Sequence, residues 1–326
     1  MDILALLLGT FGVGSNIIAG IYVLAAFVHG RKQYSNVWFA AMKVGLDLVS
    51  CLFIVIDSWD PRLSTEPSTS SQLYCVLNAV HFWFWIAMTL RVGLNVIQAG
   101  YYFEWLVLTR YRIVRLIYLQ VIIVATTYGF QAVLAAILHG MQSEHRKGES
   151  TCGDALFLED KFESSTGLLK IAVLTHFVSF LTLPVMLIRY CYRAILMGLG
   201  DNDGIPDRVA YGEFLKLYYF DYLMFGFLSL PHMLGFFLYN FTPAFDFRPH
   251  TPAFKLTFYL FGLYPILYPV FSMHLLRIFR NPLSYTKDEV KKDDSKTEEQ
   301  PETEPQNEPA AAEDDGTGEK KNKNEK

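Results

Sequence analysis

Arg91, Asn95 and Gln98 stand four and three residues apart inside an apolar run, with Glu104 further along it. That spacing puts the first three on one helix face. A guanidinium carries five donors, no acceptor and a permanent charge, so in apolar surroundings it needs carboxylates. Asp47 and Asp221, each in another apolar run, are the available partners. Two arrangements satisfy the residue types: an interior polar stripe that works as a switch, or an arginine that reaches toward water or caps a local carbonyl. Neither is acid–base catalysis. The eight histidines (29, 81, 139, 145, 176, 232, 250, 274) lack metal-ligand spacing, and no phosphate loop or nucleophile elbow is present. An enzyme is not expected, nor a cofactor, nor a nucleic-acid partner.

The elements that position these residues are apolar and long. The chain has 326 residues, of which 52% are hydrophobic and 15% aromatic. Of its 32 acidic and 28 basic residues, 14 and 8 fall from Tyr285 onward, so the net charge of −4 belongs to the tail. Seven upstream runs, 3–29, 36–57, 73–108, 113–138, 168–198, 212–240 and 252–279, are long enough to cross a hydrocarbon core, which needs roughly 20 helical residues. Lipid forces each segment to satisfy its own backbone. The expected fold is an all-α membrane protein, a seven-transmembrane helix bundle. The first run exceeds a signal-peptide core and reads as a retained helix.

Loop charge orients the bundle. Arg31, Lys32, Arg110, Arg112, Arg115, Arg189, Arg193, Arg208, Lys216, Arg277 and Arg280 fall on one side, which places the N-terminus outside and the C-terminus in the cytoplasm. Cys75 and Cys152 then share the outer, oxidising side, and a disulfide between them is expected, with free thiols as the alternative. Arg91 lies sixteen residues beyond Cys75, about 24 Å inward along a continuous helix. The sequon at Asn240 abuts the membrane and precedes Pro243, a poor acceptor site.

Residues 1–284 form the membrane domain and 285–326 the tail. "LLRIFRNPLSY" has the pattern of a short amphipathic eighth helix at the membrane surface. The acidic tail has almost no large apolar residue and reads as disordered. No internal repeat is visible, which disfavours a transporter of inverted halves.

Residues on six of these runs resemble the rhodopsin-like G-protein-coupled receptors over positions 1 to about 284. Asn16 in "GVGSN", Asp47 in "GLDLVSC", the pair Cys75 and Cys152, Pro184 with Tyr192, Phe225 with Pro231, and Pro269 followed by Phe279-Arg280 carry the likeness. Several signature residues depart from it. The Asp-Arg-Tyr position reads Ala99-Gly100-Tyr101, the sixth-span tryptophan is Ser229, and Tyr268 and Ser272 replace the seventh-span Asn and Tyr. The chain is in this respect similar to divergent, nematode-type chemosensory receptors.

The resemblance implies a plasma-membrane receptor signalling through a heterotrimeric G protein, with an arrestin-like protein recruited to a phosphorylated tail. It implies interior switch roles for Asn16, Asp47, Tyr192 and Pro269, with sodium at Asp47, and the polar stripe of Arg91 and Asn95, with Asp221 as a candidate partner, is expected to replace the missing arginine switch. It implies a pocket lined by Phe82, Trp83, Ile86, His176, Phe180, His232, Met233, Phe236 and Phe258, suited to a small, largely apolar or aromatic ligand. The amine receptors' carboxylate position is Phe82 and the retinal lysine's is Gly262, so amines and retinal are not expected. The competing class is a polytopic transporter or lipid-modifying enzyme.

Overall fold

The computed structural model describes residues 2–28, 35–59, 68–77, 81–106, 117–145, 147, 150, 152–154, 166–201, 208–242, 245–249 and 251–275. All belong to one compact unit, Met1–Pro282. The expected eighth helix, the acidic tail and Arg31, Lys32, Arg110, Arg112, Arg115, Arg277 and Arg280 lie outside the described residues.

Seven spans are long and apolar enough to cross a membrane: Ile3–Val28, Val37–Asp57, Thr69–Glu104, Val121–Gly140, Gly167–Met197, Leu215–Phe241 and Pro252–His274. The chain is a multi-pass membrane protein in architecture. On the first span, small residues Ala5, Gly9, Gly12, Ala19 and Ala26 are buried, while Ile3, Leu7, Phe11, Ile18 and Ile21 stand exposed on the other face. That inverts the soluble pattern, because lipid accepts large apolar side chains and helix contacts want small ones. A Cβ at Gly12 would lie 2.5 Å from Cys51 Sγ and 2.8 Å from Ile266 Cγ1, so only glycine lets the first span meet the second and seventh here. Asp2 caps this helix, its carboxylate accepting the Ala5 N–H at 3.3 Å.

Prolines shape three spans. Pro184 has no N–H to give the Phe180 carbonyl, and the preceding turn, Val178–Thr182, widens to a π-helix in which Leu183 N–H reaches Val178 O. Pro231 sits inside the 34-residue helix Arg208–Phe241. The seventh span breaks at Leu263 into Pro252–Gly262 and Tyr264–Leu275. Pro269, lacking a donor, leaves the Pro265 carbonyl open, and Asn16 Nδ2 fills it at 3.0 Å.

The loop after the fourth span contains a two-stranded sheet in which β1 (Ser143–His145) pairs antiparallel with β2 (Cys152–Asp154). A disulfide joins Cys152 to Cys75. Ser71 Oγ meets His145 Nδ1 at 2.8 Å, and Gln72 Nε2 donates to His145 O at 2.7 Å, so the hairpin is tied to the helix Thr69–Leu77 at three points. The third span is not one unbroken helix. Phe82–Leu106 restarts after His81, a non-glycine residue with φ of 60°.

Candidate functional site

Four charged side chains, Lys43, Asp47, Arg91 and Asp221, are each 0–2% exposed. Helical spacing aims them together: Lys43 and Asp47 are one turn apart on the second span, Arg91 and Asn95 on the third, Tyr264 and Tyr268 on the seventh. Arg91 is the hub. Its Nε donates to Asp47 Oδ1 at 3.1 Å, its Nη1 to Asn95 Oδ1, and its Nη2 to Asp221 Oδ1 and Oδ2 at 3.1 and 3.2 Å. Asp221 also accepts from Lys43 Nζ at 2.9 Å and from the Tyr264 hydroxyl at 2.8 Å. Asn95 Nδ2 donates to the same tyrosine at 3.2 Å, and the Tyr218 hydroxyl donates to Asn95 O at 3.3 Å. The Tyr268 ring closes the cluster, 4.5 Å from Arg91 Cζ and 5.3 Å from Lys43 Nζ.

Both candidate partners of Arg91 are therefore engaged at once, and the outward-reaching arrangement is not adopted. The sequence reading missed Lys43, Tyr218 and Tyr264. The signal for Lys43 was present: a lysine four residues before Asp47 in an apolar span needs a carboxylate. Asn16 does not bond to Asp47; its amide goes to Gly12 O, Pro265 O and Cys51 Sγ. Tyr192 stands apart as well, stacked on Tyr219 at 4.4 Å. Gln98 is buried, with its Oε1 unpartnered.

The family-implied sodium ion does not suit this donor set. Asp47 Oδ2 and Asn16 Oδ1 are orphaned acceptors. The two carboxylates are nevertheless already balanced by Arg91 and Lys43, and a further cation would have to settle beside both.

A second cluster lies toward the disulfide-bearing face. Trp85 stacks on His139 at 3.8 Å and 3°, with His232 at 5.4 Å and His176 at 5.9 Å. Phe180, Met233, Phe236 and Phe258, expected in the pocket, are all buried, and Phe180 and Phe236 pack on these rings. Phe82 and Ile86 are half-buried. Trp83 corrects the expectation: it is 38% exposed beside Phe53, and the tryptophan at the centre is Trp85. His139 is a third interior histidine that the sequence reading left out.

Hydrogen bonds fix two tautomers. Gln131 Nε2 donates to His176 Nδ1 at 3.0 Å, which leaves the proton on Nε2. Thr257 Oγ1 gives its own proton to backbone carbonyls and so accepts from His232 Nδ1 at 3.1 Å, leaving that Nε2 an acceptor. Five nitrogens here, Trp85 Nε1, both of His139, and Nε2 of His176 and His232, have no partner.

Asn240 is buried, with its amide donating to Phe236 O at 2.8 Å, so the sequon's acceptor nitrogen is already committed within the helix. No known protein family's sequence profile matches the chain, and no curated protein is significantly similar to it.

Proposed function

We propose that this chain is a divergent rhodopsin-like G-protein-coupled receptor. It faces outward with its N-terminus in the plasma membrane, senses a small, largely apolar or aromatic ligand, and signals through a heterotrimeric G protein. The observation that carries the reading is the ionic core. Arg91 on the third span and Asp221 on the sixth hold each other at the centre of a seven-span bundle whose third span is disulfide-tied to the loop after the fourth.

The mechanism follows from Asp221's partners. Any outward swing of the sixth span carries Asp221 away from Arg91, Lys43 and Tyr264, so the resting arrangement is held by three donors on three spans. Pro231 lies ten residues from Asp221, about 15 Å along the helix, and supplies the point of weakness about which that segment turns. In this reading the Arg91–Asp221 pair does the work of the arginine missing at Ala99-Gly100-Tyr101. The tail's Ser and Thr residues would recruit an arrestin-like partner after phosphorylation.

The test is ligand-screened G-protein activation in cells, with Asp221→Asn beside the parent. Raised ligand-free activation in the variant is expected. A surface-delivered chain that activates no G protein with any ligand, its variant equally silent, removes the reading. The same buried pairs favour a second reading, a transporter whose substrate or coupling ion passes the charged centre. Ion-coupled flux in liposomes holding the purified chain would establish that instead.

A further inference from the structure

A cavity of about 550 Å³ opens at the disulfide-bearing face, between the starts of the first and seventh spans and the end of the second. Its size falls within the range of small-molecule sites. Trp59, Phe254 and Phe258 give it an aromatic wall, and Cys152 of the hairpin is part of its rim. Asp57 lines it with a side chain 0% exposed. One carboxylate oxygen, Oδ2, is held by His81 Nδ1 at 2.9 Å. The other, Oδ1, has no donor among the described residues.

The surroundings hold Asp57 in that state. His81 takes φ of 60°, a conformation that costs a non-glycine residue free energy, and its ring stacks on Phe258 at 3.8 Å. The strained residue thus occupies one oxygen of a carboxylate on the cavity lining and leaves the other without a donor among the described residues. Lys255 is the one lysine among the described lining residues, and its charge acts on Asp2, whose carboxylate also takes the Tyr259 hydroxyl. Asp57 Oδ1 remains an acceptor in a partly dry, aromatic space, which favours a cationic donor over a neutral one.

We propose that this cavity binds a small protonated amine carrying an aromatic or apolar body, with the ammonium on Asp57 Oδ1 and the body against Phe254, Phe258 and Trp59. This deepens the receptor reading by naming the ligand class, and it rests on that reading only for the consequence of binding. It also reverses the expectation drawn from Phe82: the carboxylate missing from the third span is supplied by the second.

Binding is read on the purified chain in lipid nanodiscs, without a G protein, by saturation-transfer NMR and thermal shift. The probes are phenylethylamine, phenylethanol and phenylpropanoate. The amine alone should bind, and Asp57→Asn should weaken it roughly tenfold or more. Equal binding of the three probes, no amine-selective signal at millimolar concentration, or amine binding indifferent to Asp57→Asn overturns the site.

Leu4→Cys keeps Asp57 intact and places a thiol at an exposed position of the cavity lining, so the test survives a variant that fails to fold. A trimethylammonium methanethiosulfonate should modify it roughly fivefold or more faster than a sulfonate one, each rate divided by that with a free thiol in solution. Equal or reversed rates overturn the proposal. Amine binding with a silent G-protein assay would remove the receptor reading and leave the site. Signalling to a ligand that Asp57→Asn does not affect would do the opposite.

Discussion

Arg91 Nη2 on the third span lies 3.1 and 3.2 Å from the two carboxylate oxygens of Asp221 on the sixth, and neither residue is reached by solvent. Removing one member strands the other in a dry interior, which costs about 3–5 kcal/mol. Arg91→Ala and Asp221→Asn should each lower the apparent Tm of detergent-purified protein sharply. Arg91→Ala combined with Asp221→Asn should fall less than the sum of the two single changes. An additive double variant would mean the pair is not coupled.

Charge balance makes a prediction about sodium. With Asp47 already held by Arg91 at 3.1 Å, exchanging sodium for choline at constant ionic strength should leave the apparent Tm and any ligand affinity unchanged. A sodium-dependent rise that Asp47→Asn abolishes would show the ion settling there after all.

The aromatic cluster separates stacking from hydrogen bonding. His139 packs on Trp85 and Phe236 with both ring nitrogens unpartnered, so His139→Phe should leave stability unchanged or raise it. His176→Phe abandons the buried Gln131 amide and should cost about 1–3 kcal/mol. Thermal unfolding of the two variants in parallel checks the contrast, and equal losses would refute it.

The disulfide closes a loop of 77 residues, which in chain-entropy terms stabilises the fold by about 4.5 kcal/mol. Cys75→Ser should therefore lower stability and surface delivery, and adding Cys152→Ser should cost little more. A double variant much worse than either single would point to roles for the cysteines beyond their bond.

Asp2 gives the amino end a pH dependence. Partial burial opposes its ionisation, but the Tyr259 hydroxyl, the Ala5 N–H and the charge of Lys255 outweigh it and hold the carboxyl below the usual aspartate value. A lowered folded pKa means the contribution is complete above the unfolded value, near 4, and disappears as pH falls through the folded one. Asp2→Ala should cost about 0.5–1 kcal/mol at neutral pH, and the difference from the parent should vanish in strong acid. A gap that persists unchanged down to the lowest pH would exclude this cause.

The seven spans were legible because hydropathy alone sets them, and the cysteine pair because topology puts both on one side. The charged core was half legible. The scarcity of charge in the spans narrowed Arg91's partners to Asp47 and Asp221, and both serve. His139 escaped because the fourth span was ended at residue 138, whereas its helix runs to Gly140. Counting from Cys75 along one continuous helix points Trp83 inward in place of Trp85. The interruption at His81, before the helix starts at Phe82, resets that phase. The cavity at Asp57 was not legible, since it depends on how three span ends and a hairpin meet.

The π-turn at Val178–Thr182 splits the fifth span into two rods that are out of phase. One additional residue per turn rotates everything before it by roughly 100° relative to everything after it. Deleting one residue of that turn and closing it to α geometry would leave the span ample for the bilayer and keep His176 against Gln131, with Ile188 and Ile195 in their places. A relative of the same length but without the widened turn would therefore present a different surface to the Trp85 cluster from an almost identical string of letters.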